Sequence, residues 1–386
     1  MKRWRRAFAP LGCGILLSLL WVLFLLPAQA EEETTNQFLQ KQLDAMGALG
    51  IEESIPPQAE ELLGQVNLSQ LSLKQLLALS PQEFLQVIQN SVKEAAAEPV
   101  RIMGKILGIL LLCGFMAQVK TAAFQGDMDH VFSVVSILCM VSFLARPITD
   151  CIIKTVESLY SCSLFILSFI PILSGILTAG GQATAASGYH LLLFAACQGV
   201  SKLSATVLVP CVGIYFAFCI LSALFPQMNL QGLTSGIKTV VCWGLGALTT
   251  VFVGMLSMQT LVSTGVDSLT VKTSKFLLGS FIPVVGGALS DAFTAAQGCL
   301  TVLRGAVGSF GVVTAFFTFL PILSQVVIWY IIVNIAAGVG DMLSAPQASA
   351  VLKGAGTTLS ILIAMIMCFA LLLIISTALV LMISVG

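Results

Sequence analysis

The chain is poor in charge. Only 9% of its 386 residues are Asp, Glu, Lys or Arg, whereas 57% are hydrophobic and the mean hydropathy is +0.99. A soluble domain carries about a quarter charged residues, so a soluble class is excluded. The 18 basic and 18 acidic side chains cancel, and a neutral chain lacks the basic surface that nucleic acid requires. Histidine is scarcer still: His130 and His190 have no carboxylate or cysteine nearby in sequence with which to form a triad or a metal site. His-Glu-x-x-His, P-loop and Gly-x-Ser-x-Gly motifs are all missing. No catalytic, cofactor-binding or metal-ligating residue is expected, and no cofactor. The 11 cysteines include no Cys-x-x-Cys pair. Those beyond Cys13 lie mostly in apolar runs and read as small packing residues rather than a disulfide framework.

What the chain has in abundance is long apolar sequence. Beyond residue 100, stretches of about 18 or more apolar residues recur, enough to cross a bilayer as helices. The fold class expected is all-α: a polytopic transmembrane helical protein. The N-terminus has the form of a secretory signal, with Lys2, Arg3, Arg5 and Arg6 before the apolar run Leu11 to Leu26 and an Ala28-Gln29-Ala30 cleavage site. An uncleaved anchor helix is the alternative. Residues 31 to 100 hold eleven acids and three lysines, against seven acids and eleven basic residues over 101 to 386. Basic residues favour the cytoplasmic side, so residues 31 to 100 are expected outside the cytoplasm. Short leucine stripes and a Ser80-Pro81 helix start make this region helical and amphipathic, resting on the membrane portion or a partner, or acting as a partly flexible spacer.

The membrane portion is written partly twice. Ser168-Phe169-Ile170-Pro171, with Gly175 and Leu177, returns as Ser280-Phe281-Ile282-Pro283 with Gly287 and Leu289. Gly188, Pro210 and Pro226-Gln227 find counterparts in Gly298, Pro321 and Pro346-Gln347. Such duplication is typical of channels and transporters built from two related halves. The organisation expected is a signal at 1–30 and an extracytoplasmic helical region at 31–100. Two spans (Ile102 to Val119, Val131 to Ile148) and an interfacial helix (Asp150 to Tyr160) fill 101–160. Repeats at 161–265 and 266–386 follow. Six spans are expected, with short kinked or re-entrant elements at 162–179, 189–200, 276–290 and 299–312. Lysines before corresponding segments favour repeats of the same orientation over inverted ones.

Proline removes a helical hydrogen bond and a nearby glycine thins the helix. Pro171/Gly175 and Pro283/Gly287 are therefore candidate hinge or pore positions, with close helix packing as the plainer reading. Asp291, Arg304 and Asp341 are candidate polar residues in the membrane, because an ionisable group in lipid is costly. Each lies near an expected helix end, which leaves an interfacial position as its alternative.

The run Phe276-Leu277-Leu278-Gly279-Ser280-Phe281-Ile282-Pro283-Val284-Val285-Gly286-Gly287-Ala288-Leu289-Ser290-Asp291-Ala292, continued by Gly298-Cys299-Leu300 and Arg304-Gly305-Ala306-Val307-Gly308, resembles the stage III sporulation protein AE family of endospore-forming bacteria. The resemblance implies a permease-like, non-enzymatic component of the channel complex that joins mother cell and forespore. It further implies the mother-cell membrane surrounding the forespore as its location. The implied partners are other stage III sporulation membrane proteins, including an ATPase and ring-forming exported proteins. A stand-alone secondary transporter and a membrane scaffold for partner proteins are the rival functions.

Overall fold

The computed structural model describes residues 54–66, 81–123, 128–225, 230–281, 286–343 and 345–382. Within them, side chains at 81, 116–123, 128–133, 231, 264, 275, 278–281, 286–293 and 379–382 lie outside the description. The expected signal sequence (1–30) and Pro283 also fall outside it.

Every element among the described residues is helical. The order is α1 (Pro57–Gln65), α2 (Pro81–Ala123), α3 (Met128–Ala179), α4 (Ala183–Leu203), a π-helical turn (Ser204–Leu208), α5 (Val209–Leu224), α6 (Gln231–Phe281), α7 (Gly286–Met342) and α8 (Pro346–Met382). Five segments are long and apolar enough to cross a membrane: Val134–Ala179, Ala183–Leu224, Gly232–Ser274, Thr294–Met342 and Pro346–Ala378. They contain most of five of the six expected spans. The sixth, Ile102 to Val119, falls in α2, where side chains are described only as far as Phe115.

The helices are longer than the sequence suggests. α3 has 52 residues, about 78 Å at 1.5 Å per residue, and it runs unbroken through Asp150 to Tyr160. That stretch is therefore not a separate interfacial helix. Likewise 162–179 continues α3, 189–200 leads through the π-turn into α5, and 299–312 is part of the 57-residue α7. The π-turn has a local cause. Pro210 offers no amide to the carbonyl of Thr206, and its ring would crowd that carbonyl; one wider turn over Ser204–Leu208 absorbs the conflict.

Side-chain contacts fix the directions. Lys154, Phe169 and Gln182 of the α3–α4 hairpin meet Gln325, Gly311 and Arg304 of α7, so α3 and α7 are antiparallel. Thr184, Gly188 and Gly199 of α4 meet Asp267, Gln259 and Phe252 of α6, again antiparallel. α3 and α6 thus share a direction, as do α4 and α7. The segments that carry the two Ser-Phe-Ile-Pro copies point the same way. Pro171 is inside α3, while Ile282 and Pro283 of the second copy lie outside the described residues.

The core lies along α7, where Trp329, Phe310 and Phe317 are fully buried, with Phe165 and Phe169 of α3 and Phe369 of α8. α7 packs most extensively on α8 and also on α2 and α3. Gly311 makes the α3 crossing possible: a Cβ there would come within 2.5 Å of the Phe169 ring. The described part of the amphipathic region also rests on α7. Ala59, Leu62 and Leu63 of α1 are buried, and Phe84 of α2 stacks on Phe316 with centroids 5.4 Å apart.

Candidate functional site: a buried polar latch at the α3–α4 turn

The turn between α3 and α4 is two residues of glycine and one of glutamine. The Gly181 amide donates to the Thr178 carbonyl (3.0 Å) and the Gln182 amide to the Leu177 carbonyl (2.9 Å). These bonds close the helix end in the Schellman pattern, which places its C′ residue in the left-handed region. Gly181 has φ +81°, a conformation that costs an L-residue roughly 1–2 kcal/mol. The turn also sits close to α6, since a Cβ on Gly181 would approach Val271 Cγ2 to 3.1 Å.

Gln182 occupies the N-cap position of α4, yet its side chain makes no capping bond. The capping group comes from another helix. Asp267 of α6 accepts from the Thr184 amide at Oδ1 (3.1 Å) and from the Ala185 amide at Oδ2 (2.8 Å). Both oxygens therefore meet amides that a helix start leaves unpaired, and the carboxylate faces the positive end of the α4 dipole.

The Gln182 side chain turns the other way, toward α7. Its Oε1 accepts from Arg304 Nη1 at 3.0 Å. One α7 turn pair away, Gln297 Nε2 donates a long bond of 3.5 Å to the Gly180 carbonyl. Asp267, Gln182, Gln297 and Arg304 are each no more than 5% exposed. Four buried polar side chains from three parts of an apolar chain thus converge on one turn. Below it, the hairpin is held by weaker links: Ser174 Oγ to the Ala186 carbonyl and Ser163 Oγ to the Cys197 carbonyl, both 3.4 Å. The Gln259 side chain of α6 lies over Gly188, where any Cβ would overlap it.

The sequence candidates are scattered. Arg304 is in the latch, buried and far inside α7 rather than near a helix end. Pro171 and Gly175 lie on an exposed side of α3, and a Cβ on Gly175 would meet nothing within 4 Å. Gly287 and Asp291 belong to the first turns of α7, where side chains are outside the description. Asp341 is exposed at the α7–α8 turn, paired with Lys353 (Nζ to Oδ2 2.7 Å) and accepting from Ser349. Asp267 was missed, although it is the single acid between Glu157 and Asp291. That isolation was the available signal. Nothing in the sequence signals Gln182 or Gln297.

The cluster ties the α3–α4 turn to α6 and α7 by hydrogen bonds. Both Asp267 oxygens are engaged by amides, and among the described residues no group of three or more His, Cys, Asp or Glu could hold a metal ion.

Comparison with known proteins decides the family. A family model described as stage III sporulation protein AE matches residues 67–384. The chain belongs to that family. It is 23% identical over 235 residues to the stage III sporulation protein AE of Bacillus subtilis (strain 168), a match covering 61% of this chain and 59% of that relative. The match thus spans less than two thirds of the relative's length. No solved structure matches the chain. Membership and five long apolar helices together describe a multi-pass membrane protein of sporulation.

Proposed function

We propose that this chain is the permease-like, non-enzymatic membrane component of the channel complex between mother cell and forespore. It works there with an ATPase, ring-forming exported proteins and other stage III sporulation membrane proteins, in the mother-cell membrane around the forespore. The observation that carries this reading is the family match over residues 67–384. Two related halves led by the Ser-Phe-Ile-Pro copies would supply the moving parts, and the latch would hold the α3–α4 hairpin in one position.

A stand-alone transporter requires an intramembrane carboxylate free to bind its coupling ion. Among the described residues Asp267 is the buried acid, and its oxygens are committed to α4. That engagement favours the channel-component reading over the transporter.

The test is sporulation efficiency in a strain lacking its own copy, with membrane levels measured alongside. Pro171→Ala with Gly175→Leu, and Pro283→Ala with Gly287→Leu, should lower spore counts at normal protein level. Gly175→Leu has room to fold, because that position faces open space. Normal sporulation with all four changes combined would move the scaffold reading to first place. Transport by the purified chain in liposomes without partners would favour the transporter.

A further inference from the structure

Where α5 meets the first turns of α6, the surface holds a cleft of about 320 Å³, lined by Cys211 of α5 and by a stripe of α6 from Gly232 to Val241. We propose that this cleft binds one acyl chain of an anionic phospholipid, whose headgroup is held at Lys238.

The cleft has a cause in the sequence. Gly232 and Gly236 are one turn apart on one face of α6, and a Cβ on either would meet nothing within 4 Å. Two missing side chains leave the space, and Ile237, Val240 and Val241 wall it with hydrocarbon. Cys211 adds only a weakly polar thiol. A water molecule needs two or more polar partners, so this lining does not hold one. The helices on either side belong to two segments apolar enough to cross a membrane, Ala183–Leu224 and Gly232–Ser274. Hydrocarbon is the material a bilayer offers to such a space.

Shape selects a single chain. Gly232 to Val241 is about 14 Å at 1.5 Å per residue, so the volume corresponds to a cross-section of about 24 Å². A helix is about 10 Å across with its side chains, a cross-section roughly three times too large. Annular lipid slides over a flat helix face, whereas this cleft surrounds the chain. Charge then selects the headgroup. Side chains tilt toward the N-terminus of their helix, which carries the stem of Lys238 toward the Gly232 end. Thr234, Ser235 and Thr239 make that end of α6 polar, as a membrane interface requires. Lys238 is half-buried and, among the described residues, has no carboxylate within ion-pairing distance. A lysine beside an apolar cleft at an interface attracts a lipid phosphate.

The test uses the full-length chain, purified from membranes and washed with lipid-free detergent before native mass spectrometry. The unmodified chain should keep one phospholipid per copy. Offered phosphatidylglycerol and phosphatidylcholine together, it should retain phosphatidylglycerol in preference. Gly232→Leu and Gly236→Leu, made separately, fill the cleft and should each lose the lipid. Gly254→Leu adds the same bulk to open space elsewhere on α6 and should keep it. Lys238→Gln should hold a lipid but lose the preference for phosphatidylglycerol. That variant leaves the cleft unfilled, so it still decides the matter if a leucine variant misfolds; unfolding midpoints in detergent identify such a variant. Four results would overturn the proposal: a bare chain after washing, full retention in both cleft variants, equal loss in Gly254→Leu, or an unchanged preference in Lys238→Gln. The site goes beyond the channel reading, and its test does not depend on that reading.

Discussion

Asp267 shows what one carboxylate does when its oxygens are spent on backbone amides rather than on a cation. Removing it orphans one buried donor (Ala185) and one part-buried donor (Thr184) at the start of α4, and an unsatisfied buried group costs about 1–3 kcal/mol. Asp267→Ala should therefore lower the thermal unfolding midpoint in detergent distinctly, and Asp267→Asn by less, because the amide keeps one acceptor oxygen. Equal stability of wild type and Asp267→Ala would mean that the amides find other partners. Gly181→Ala should cost about 1–2 kcal/mol through the left-handed backbone alone, with the Val271 contact adding to it. At this scale the sequence was half legible. Arg304 and Asp267 both stand out as ions in apolar runs, and both deserved equal weight. Gln182 and Gln297 did not stand out, because an uncharged amide acquires its role only when a fold brings it beside a turn 115 residues away in sequence (Gln182 and Gln297 differ by that number).

Among the helices, the sequence reading succeeded on existence and failed on continuity. Apolar runs marked the spans, but charges at Asp150, Lys154 and Glu157 and the prolines looked like breaks. Neither the charges nor Pro147, Pro171 and Pro321 end a helix here. Charged residues propagate a helix well once one face is buried, and Thr155, Ser158 and Leu159 give that segment a buried face. Proline breaks a bond without ending a helix whose neighbours hold it. The same packing separates two glycines that look alike in sequence. Gly311→Leu would drive a side chain into the buried Phe169 ring and should cost several kcal/mol, reducing the amount of folded protein recovered from membranes. Gly175→Leu faces open space and should leave that amount unchanged. If both variants accumulate like wild type, the α3–α7 crossing is looser than the contact implies.

For the whole molecule, the contacts of α2 set an orientation that can be measured. Phe84 lies at Phe316, Leu110 at Gly340 and Gly114 at Leu343. α2 and α7 are therefore parallel, and the N-terminal region sits toward the α3–α4 turn, not toward the α7–α8 turn. Acidic composition leads to the expectation that residues 31–100 lie outside the cytoplasm. If they do, the latch end of the bundle faces outward and the Asp341–Lys353 end faces the cytoplasm. Glu61→Cys and Ala183→Cys are both at exposed positions, as is Lys353→Cys. In a background without native cysteines, a membrane-impermeant maleimide added to intact cells stripped of their wall should label the first two. It should reach the third only after the membrane is opened. A label on Lys353→Cys in sealed cells, with Glu61→Cys protected, would reverse the orientation. Label at Glu61→Cys but not at Ala183→Cys would leave the N-terminal region outside and bury the latch within the bilayer. Asp267 and Arg304 would then face lipid-depth surroundings, where losing either partner costs most.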